Sequence, residues 1–106
     1  MTIEIWTEAG QFINKSYPDA MRRIDLPRSY RNFEKMLEEE LRRTYPAAEV
    51  SVRVVDSDRT ILRVDGDDIT VSSRPDAMSF YVNIRSAIDK LFFYGWFWEG
   101  KRTDAG

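Results

Sequence analysis

The chain has 106 residues, and its 16 Lys and Arg against 18 Asp and Glu give a formal net charge of −2. Because it contains neither cysteine nor histidine, disulfides, thiol nucleophiles, histidine-based triads and most zinc sites are excluded. A slightly acidic chain lacks the basic excess on which duplex nucleic-acid binding depends, so that class of partner is disfavoured.

The sequence has no run of about 18 apolar residues, so it predicts no membrane-spanning segment and no membrane partner. Its first residues place Glu4 where a signal peptide would carry Lys or Arg. We therefore expect a cytoplasmic protein. A chain of this length predicts one domain, which we place at residues 1–100, followed by a frayed tail at 101–106.

The first predicted element is a strand over residues 2–7, in which Ile3 and Ile5 share one face. Residues 8–27 carry glycine and proline at irregular intervals, which predicts a loop. One short helical turn is expected within it, over residues 19–24.

The clearest predicted element is a helix over residues 29–45, with Ser29 as its N-cap and a proline directly after its end. Apolar residues recur on one face at spacings of three and four. They are Tyr30, Phe33, Leu37, Leu41 and Tyr45.

Three consecutive glutamates, residues 38–40, lie on this predicted helix. Such a run could hold a metal or a basic partner, but charge runs on helices are usually solvated. The four-residue spacing to the arginines that follow predicts the ion pairs Glu38–Arg42 and Glu39–Arg43. We interpret the run as a solvated helix face.

Three strands with alternating apolar residues are predicted next. Residues 49–55 place valines on one face, and residues 60–64 form a second strand of the same kind. Asp65-Gly66 is typical of a tight hairpin turn, and it leads into a third strand containing Ile69 and Val71.

Five aspartates cluster in these turns, at Asp56, Asp58, Asp65, Asp67 and Asp68. Carboxylates could hold Mg²⁺ or Ca²⁺, but their spacing does not match a calcium-binding loop. Asp and Gly are also the common residues of turns, so we predict turns and no metal.

The last predicted helix opens at Arg74-Pro75-Asp76 and ends before Gly95, a residue suited to the position after a helix. Its apolar face comprises Ala77, Tyr81, Ile84, Ala87, Ile88, Leu91 and Phe92. The order β-α-β-β-β-α predicts an α+β two-layer sandwich, with two helices on one face of a mostly antiparallel sheet. The expected core includes Leu37, Leu41, Val52, Ile84, Ile88 and Leu91.

Six of the seven residues from 92 to 98 are aromatic, which is more than one helix face can bury. Either the tail folds back over the core, or it is an exposed anchor for a protein partner or a second copy. Stacking on single-stranded nucleic acid normally requires a basic groove. In extended form, Trp96 and Trp98 would point to one side and Phe97 to the other. The candidate partner-binding residues are Phe93, Tyr94, Trp96, Phe97 and Trp98, with Arg53 and Arg63 on the polar sheet face.

The stretch from Phe33 to Val54, FEKMLEEELRRTYPAAEVSVRV, resembles the DinI-like family. Members share a helix ending in an aromatic-proline step, followed by a valine-rich strand with an arginine. The first strand and the tryptophan-terminated last helix are also similar. The resemblance implies a small, non-enzymatic α+β protein that modulates RecA-type filaments in the SOS response. The family's acidic last helix is reduced here to Asp89, opposed by Arg85 and Lys90.

Residues 64–91 also resemble ribosome hibernation-promoting factors, which share the predicted element order and bind ribosomal RNA through basic helices. We therefore expect a non-catalytic binding protein without cofactor, acting on a protein partner such as a RecA-like filament. One alternative is an immunity or anti-defence inhibitor that occludes a toxin or nuclease. The other alternative is a ribosome-associated factor.

Overall fold

The computed structural model describes residues 1–70 and 75–101 of the chain. Its strands are β1 (Thr2–Glu8), β2 (Glu49–Val55), β3 (Ile61–Val64) and β4 (Asp67–Asp68). They form one sheet in the order β2-β1-β3-β4. β1 runs parallel to β2 and antiparallel to β3, and β3 runs antiparallel to β4. The β1–β2 pair is parallel because a helical crossover connects the two strands.

The helices are α1 (Pro18–Arg22), α2 (Leu26–Thr44) and α3 (Pro75–Tyr94). α2 begins three residues before the predicted start, because a proline is tolerated in the first turn of a helix. The predicted N-cap at Ser29 is wrong. The Asp25 side chain is the N-cap and accepts the N–H of Arg28 at 3.2 Å.

The core lies between the sheet and the two long helices. Ile3 and Ile5 of β1 are buried on its inner face, together with Val52 and Leu62 of the neighbouring strands. All six predicted core residues are buried and belong to the same cluster. The predicted α+β fold with a sheet and a helix layer is confirmed.

The segment predicted as a loop with one helical turn over residues 19–24 contains a short 3₁₀ turn, Ala9–Phe12, and the helix α1, which overlaps the predicted turn. Phe12 from this segment is fully buried. Its ring centroid lies 4.9–5.9 Å from the rings of five other aromatics, Tyr30, Phe33, Phe92, Phe97 and Trp98. The segment thus supplies the central ring of an aromatic cluster at one end of the core.

The Asp65-Gly66 hairpin turn is confirmed, with φ of 51° at Asp65 and 84° at Gly66. The strand after it is shorter than predicted and ends before Ile69, which is nevertheless buried. Two predicted positions, Val71 and Arg74, lie outside the described residues, as does the tail from 102 to 106.

The prediction of a solvated face on α2 is only partly correct. The carboxylates of Glu34 and Glu38 accept the backbone N–H groups of Val54 and Val52, at 2.9 Å and 3.2 Å. Both N–H groups belong to β2, an edge strand of the sheet. These glutamates therefore satisfy donors that the edge would otherwise leave unpaired.

One of the two predicted ion pairs on α2 is present. Arg42 lies 3.7 Å from Glu38 as expected. Arg43 pairs instead with Glu40, at 3.5 Å. Glu39 is exposed. Residues three and four apart are both neighbours on a helix surface, and Arg43 pairs with the glutamate three residues before it.

Candidate functional site

The chain beyond α3 reverses direction within a few residues. Gly95 adopts a φ of 67°, which ends the helix, while its N–H donates to the carbonyl of Leu91 at 2.8 Å. The N–H of Trp98 then donates to the Gly95 carbonyl at 3.2 Å. The predicted extended conformation over residues 96–98 is therefore wrong, because a turn separates the two tryptophans.

Backbone hydrogen bonds fasten this C-terminal segment to the chain before α2. The N–H of Asp25 donates to the Glu99 carbonyl at 2.8 Å, and the N–H of Lys101 donates to the Arg23 carbonyl at 2.7 Å. The N–H of Glu99 donates to Ser29 Oγ at 2.9 Å. Ser29, which is not the N-cap of α2, thus helps to hold the segment after α3 in place.

Phe97 is fully buried, so its predicted place on a partner-binding surface is corrected. Its ring centroid lies 5.3 Å from Phe33 and 5.4 Å from Phe12. Trp98 is half-buried, and its ring centroid lies 4.6 Å from Phe97 and 5.9 Å from Phe12. Both side chains close the core, as we expect of a tail that folds back over it.

Phe93, Tyr94 and Trp96 form a separate group, which we call the aromatic platform. Their side chains are 83%, 52% and 65% exposed. The rings of Tyr94 and Trp96 stack at 4.7 Å with an interplanar angle of 14°, and Phe93 meets Tyr94 edge-on at 5.1 Å. The turn at Gly95 produces this stack, since it brings Trp96 back beside the last turn of α3.

A cleft of about 190 Å³ lies beside Trp96, between α2 and α3. Its lining includes Met36, Glu39, Glu40, Arg43, Lys90 and Leu91. Glu40 bridges the two helices, lying 3.1 Å from Lys90 Nζ and 3.5 Å from Arg43. The platform therefore stands at the rim of a groove with mixed charge and an apolar component.

The predicted arginines lie on a different surface. Arg53 and Arg63 are exposed on the outer face of the sheet, on strands that flank β1. The Arg63 guanidinium lies over the Trp6 ring, 5.1 Å from its centroid. Glu4 is the register partner of Arg63, so this face is mixed in charge. It does not adjoin the platform, which belongs to the helix layer.

The aspartates of the β3–β4 region accept backbone N–H groups. Asp65 Oδ1 accepts the N–H of Thr2 at 2.8 Å, and Asp68 Oδ1 accepts the N–H of Thr70 at 3.0 Å. Within residues 1–70 and 75–101, no three acidic side chains converge closely enough to hold a metal ion.

Comparison with known proteins returns no match to this chain, whether with protein-family models, curated proteins or solved structures. No helix in the described part of the chain is long and apolar enough to cross a membrane. Over residues 1–70 and 75–101, the geometry defines an α+β protein with a four-stranded mixed sheet, three helices and an exposed aromatic platform.

Proposed function

We propose that this protein is a non-catalytic binding domain that acts by contact with a protein partner through the aromatic platform. The observation that carries the proposal is the exposure of three adjacent aromatic side chains that pack on one another rather than on the core. Contiguous exposed apolar patches usually serve as binding sites, and Trp and Tyr are enriched among residues that dominate binding energy. The absence of cysteine and histidine from the sequence favours binding over catalysis.

The resemblance to the DinI-like family supports a regulator of RecA-type filaments as the first candidate for this role. The contact with the partner would differ from the contact that an acidic helix makes. On α3, Asp89 Oδ1 lies 3.6 Å from Arg85, and Lys90 lies 3.1 Å from Glu40, so the charges are mutually compensated. We therefore propose apolar contact, whose affinity falls little as salt is raised, in contrast to charge mimicry.

The test is affinity capture from the host with three immobilised forms of the protein: wild type, Trp96→Ala and Tyr17→Ala. Tyr17 is a matched control, because it is as exposed as Trp96 but lies before α1, outside the platform. We expect proteins that wild type and Tyr17→Ala retain and that Trp96→Ala loses, with melting temperatures unchanged in both variants.

The captured partner also separates the candidate functions. A recombination filament supports the regulator, whereas a toxin or nuclease supports the immunity or anti-defence alternative. Capture of the same proteins by all three forms would overturn the assignment of binding to the platform.

A further inference from the structure

The first half of α2 carries a row of basic side chains on its outer face. Arg28, Arg31 and Lys35 follow one another at spacings of three and four residues, which places them on one side of the helix. Arg31 and Lys35 are exposed, and the Arg28 side chain is 41% exposed. Because a helix rises about 1.5 Å per residue, these three residues span about 10 Å. We call them the basic row.

The basic row is electrostatically unfavourable in the chain alone. Arg31 and Lys35 are like charges four residues apart, which destabilises a helix. Arg28 lies in the first turn of α2, where the helix dipole disfavours a cation and where no acidic residue is present. Among the described residues, no carboxylate forms an ion pair with Arg31 or Lys35, and this includes Glu39, one turn after Lys35. The row therefore has positive charge that this part of the chain does not balance.

A cavity of about 250 Å³ lies beside the row, between α2 and the segment after α3. Arg28 and Arg31 line it, together with Asn32 and Glu99. The Glu99 carboxylate is already engaged, because one oxygen accepts the Asn32 amide at 3.1 Å and the other lies 4.0 Å from Arg28. Arg31 Nε donates to the Pro27 carbonyl at 3.4 Å. This bond leaves the two terminal nitrogens of the Arg31 guanidinium as donors for a ligand.

We infer that the basic row and this cavity bind an anionic ligand that carries consecutive phosphate groups. The planar guanidinium of Arg31 holds one phosphate through two parallel hydrogen bonds, a geometry that arginine favours. Lys35, one turn further along α2, meets the next phosphate as a point charge. The ligand removes the repulsion between these two side chains, because each then has a counter-charge.

Phosphate fits the basic row better than carboxylate does. A phosphate group carries up to two negative charges and three acceptor oxygens, whereas a carboxylate carries one charge and two oxygens. Two of the three cations are arginines, whose forked donors match phosphate oxygens. A single phosphate is too small to contact both ends of a row about 10 Å long, so the ligand has more than one.

This site goes beyond the proposed function, because none of its basic residues lines the cleft beside Trp96. Its contact with the ligand is electrostatic, so the affinity falls steeply as salt is raised. The apolar contact proposed for the aromatic platform depends little on salt. Salt and substitution therefore both separate the two sites.

The test is isothermal titration calorimetry at low salt with three probes: inorganic tripolyphosphate, a short oligothymidylate and a short polyglutamate. We expect wild type to bind the phosphate probes, and the double variant Arg31→Gln/Lys35→Gln to bind them at least about 10-fold more weakly. The matched control is Arg53→Gln/Arg63→Gln, which removes the same charge from the outer face of the sheet. It should weaken binding by less than about 2-fold, and both variants should melt at the wild-type temperature.

Three results would overturn the inference: wild type binds neither phosphate probe, both double variants weaken binding equally, or polyglutamate binds more tightly than the phosphate probes. Tighter binding of tripolyphosphate identifies a small polyphosphate as the ligand, and tighter binding of oligothymidylate identifies a nucleic-acid chain. Both of these outcomes support the site. Trp96-dependent capture by the Arg31→Gln/Lys35→Gln variant reports separately on the proposed function, which survives if only the phosphate site fails.

Discussion

Thr7 shows how one residue can limit the stability of this fold. Its side chain is fully buried on the inner face of β1, and its Oγ1 has no hydrogen-bond partner among the described residues. An unsatisfied buried hydroxyl costs about 1–3 kcal/mol. We expect Thr7→Val, which keeps the shape and removes the oxygen, to raise the free energy of unfolding by about 1 kcal/mol, measured by urea denaturation.

Thr60 is the control for that substitution, because its Oγ1 accepts the N–H of Glu8 at 3.3 Å and the side-chain amide of Gln11 at 3.0 Å. Thr60→Val should lower the free energy of unfolding by about 0.5–1.5 kcal/mol. A Thr7→Val protein less stable than wild type would show that the buried hydroxyl is satisfied.

Tyr30 makes the stability of the fold sensitive to high pH. Burial, and secondarily the negative charge of Asp56, raise the pKa of the Tyr30 hydroxyl above its ordinary value of 10.0. The pKa of Tyr30 is higher in the folded state than in the unfolded state. The contribution of its neutral hydroxyl to the free energy of unfolding is therefore complete below about pH 10 and is lost as pH rises through the folded-state pKa. Urea denaturation between about pH 9 and about pH 12 should show a smaller decline in the free energy of unfolding for Tyr30→Phe than for wild type. An identical decline would contradict the shift.

At the scale of elements, α2 does more than cover the sheet. Glu34 and Glu38 accept N–H groups of the edge strand β2, at 2.9 Å and 3.2 Å. Charged groups beside an exposed edge oppose pairing with another chain. The helix therefore fixes the register of β2 against β1 and protects the edge.

Removing one of these carboxylates tests that role. Glu34→Ala should accelerate amide hydrogen exchange at Val54 and lower the free energy of unfolding by about 1–2 kcal/mol, because a bond to a charged acceptor is lost. Glu39→Ala, at an exposed position of the same helix, should change it by less than about 0.5 kcal/mol. Unchanged protection of the Val54 amide in Glu34→Ala would refute the contact.

Across the whole molecule, two segments distant in sequence close the core together. Phe12 comes from the segment before α1, and Phe97 comes from the segment after α3. Their rings meet at 5.4 Å, and Phe33 of α2 completes the contact. The aromatic cluster thus joins parts of the chain that are distant in sequence.

Substitution at two neighbouring positions should separate core from surface. Phe97→Ala should lower the free energy of unfolding by about 3–5 kcal/mol, a large part of the total for a domain of this size. Trp96→Ala removes an exposed ring and should cost less than about 0.5 kcal/mol. Thermal melts compare the two directly, and equal losses would mean that Trp96 also belongs to the core.

The regular elements could be predicted because their signals are local. The alternation of β1 and β2, the apolar face of α2 and the Asp65-Gly66 turn each depend on residues close in sequence. Ser29 could not be assigned correctly from its neighbours alone. The proline before it fits the first turn of a helix as well as the chain before one. One of the two partners of the Ser29 hydroxyl, the N–H of Glu99, is far along the sequence.

The element types, the inward faces of both long helices and the aromatic excess around residues 92–98 follow from local sequence patterns. The division of that excess between core and surface depends on contacts between distant parts of the chain. The positive φ at Gly95 turns the chain back, and Phe12, from a segment without periodicity, provides the surface against which Phe97 packs. Phe93, Tyr94 and Trp96 stay outside because the core is already closed. Which aromatic side chains are buried depends on residues distant in sequence, and local patterns carry no information about such contacts.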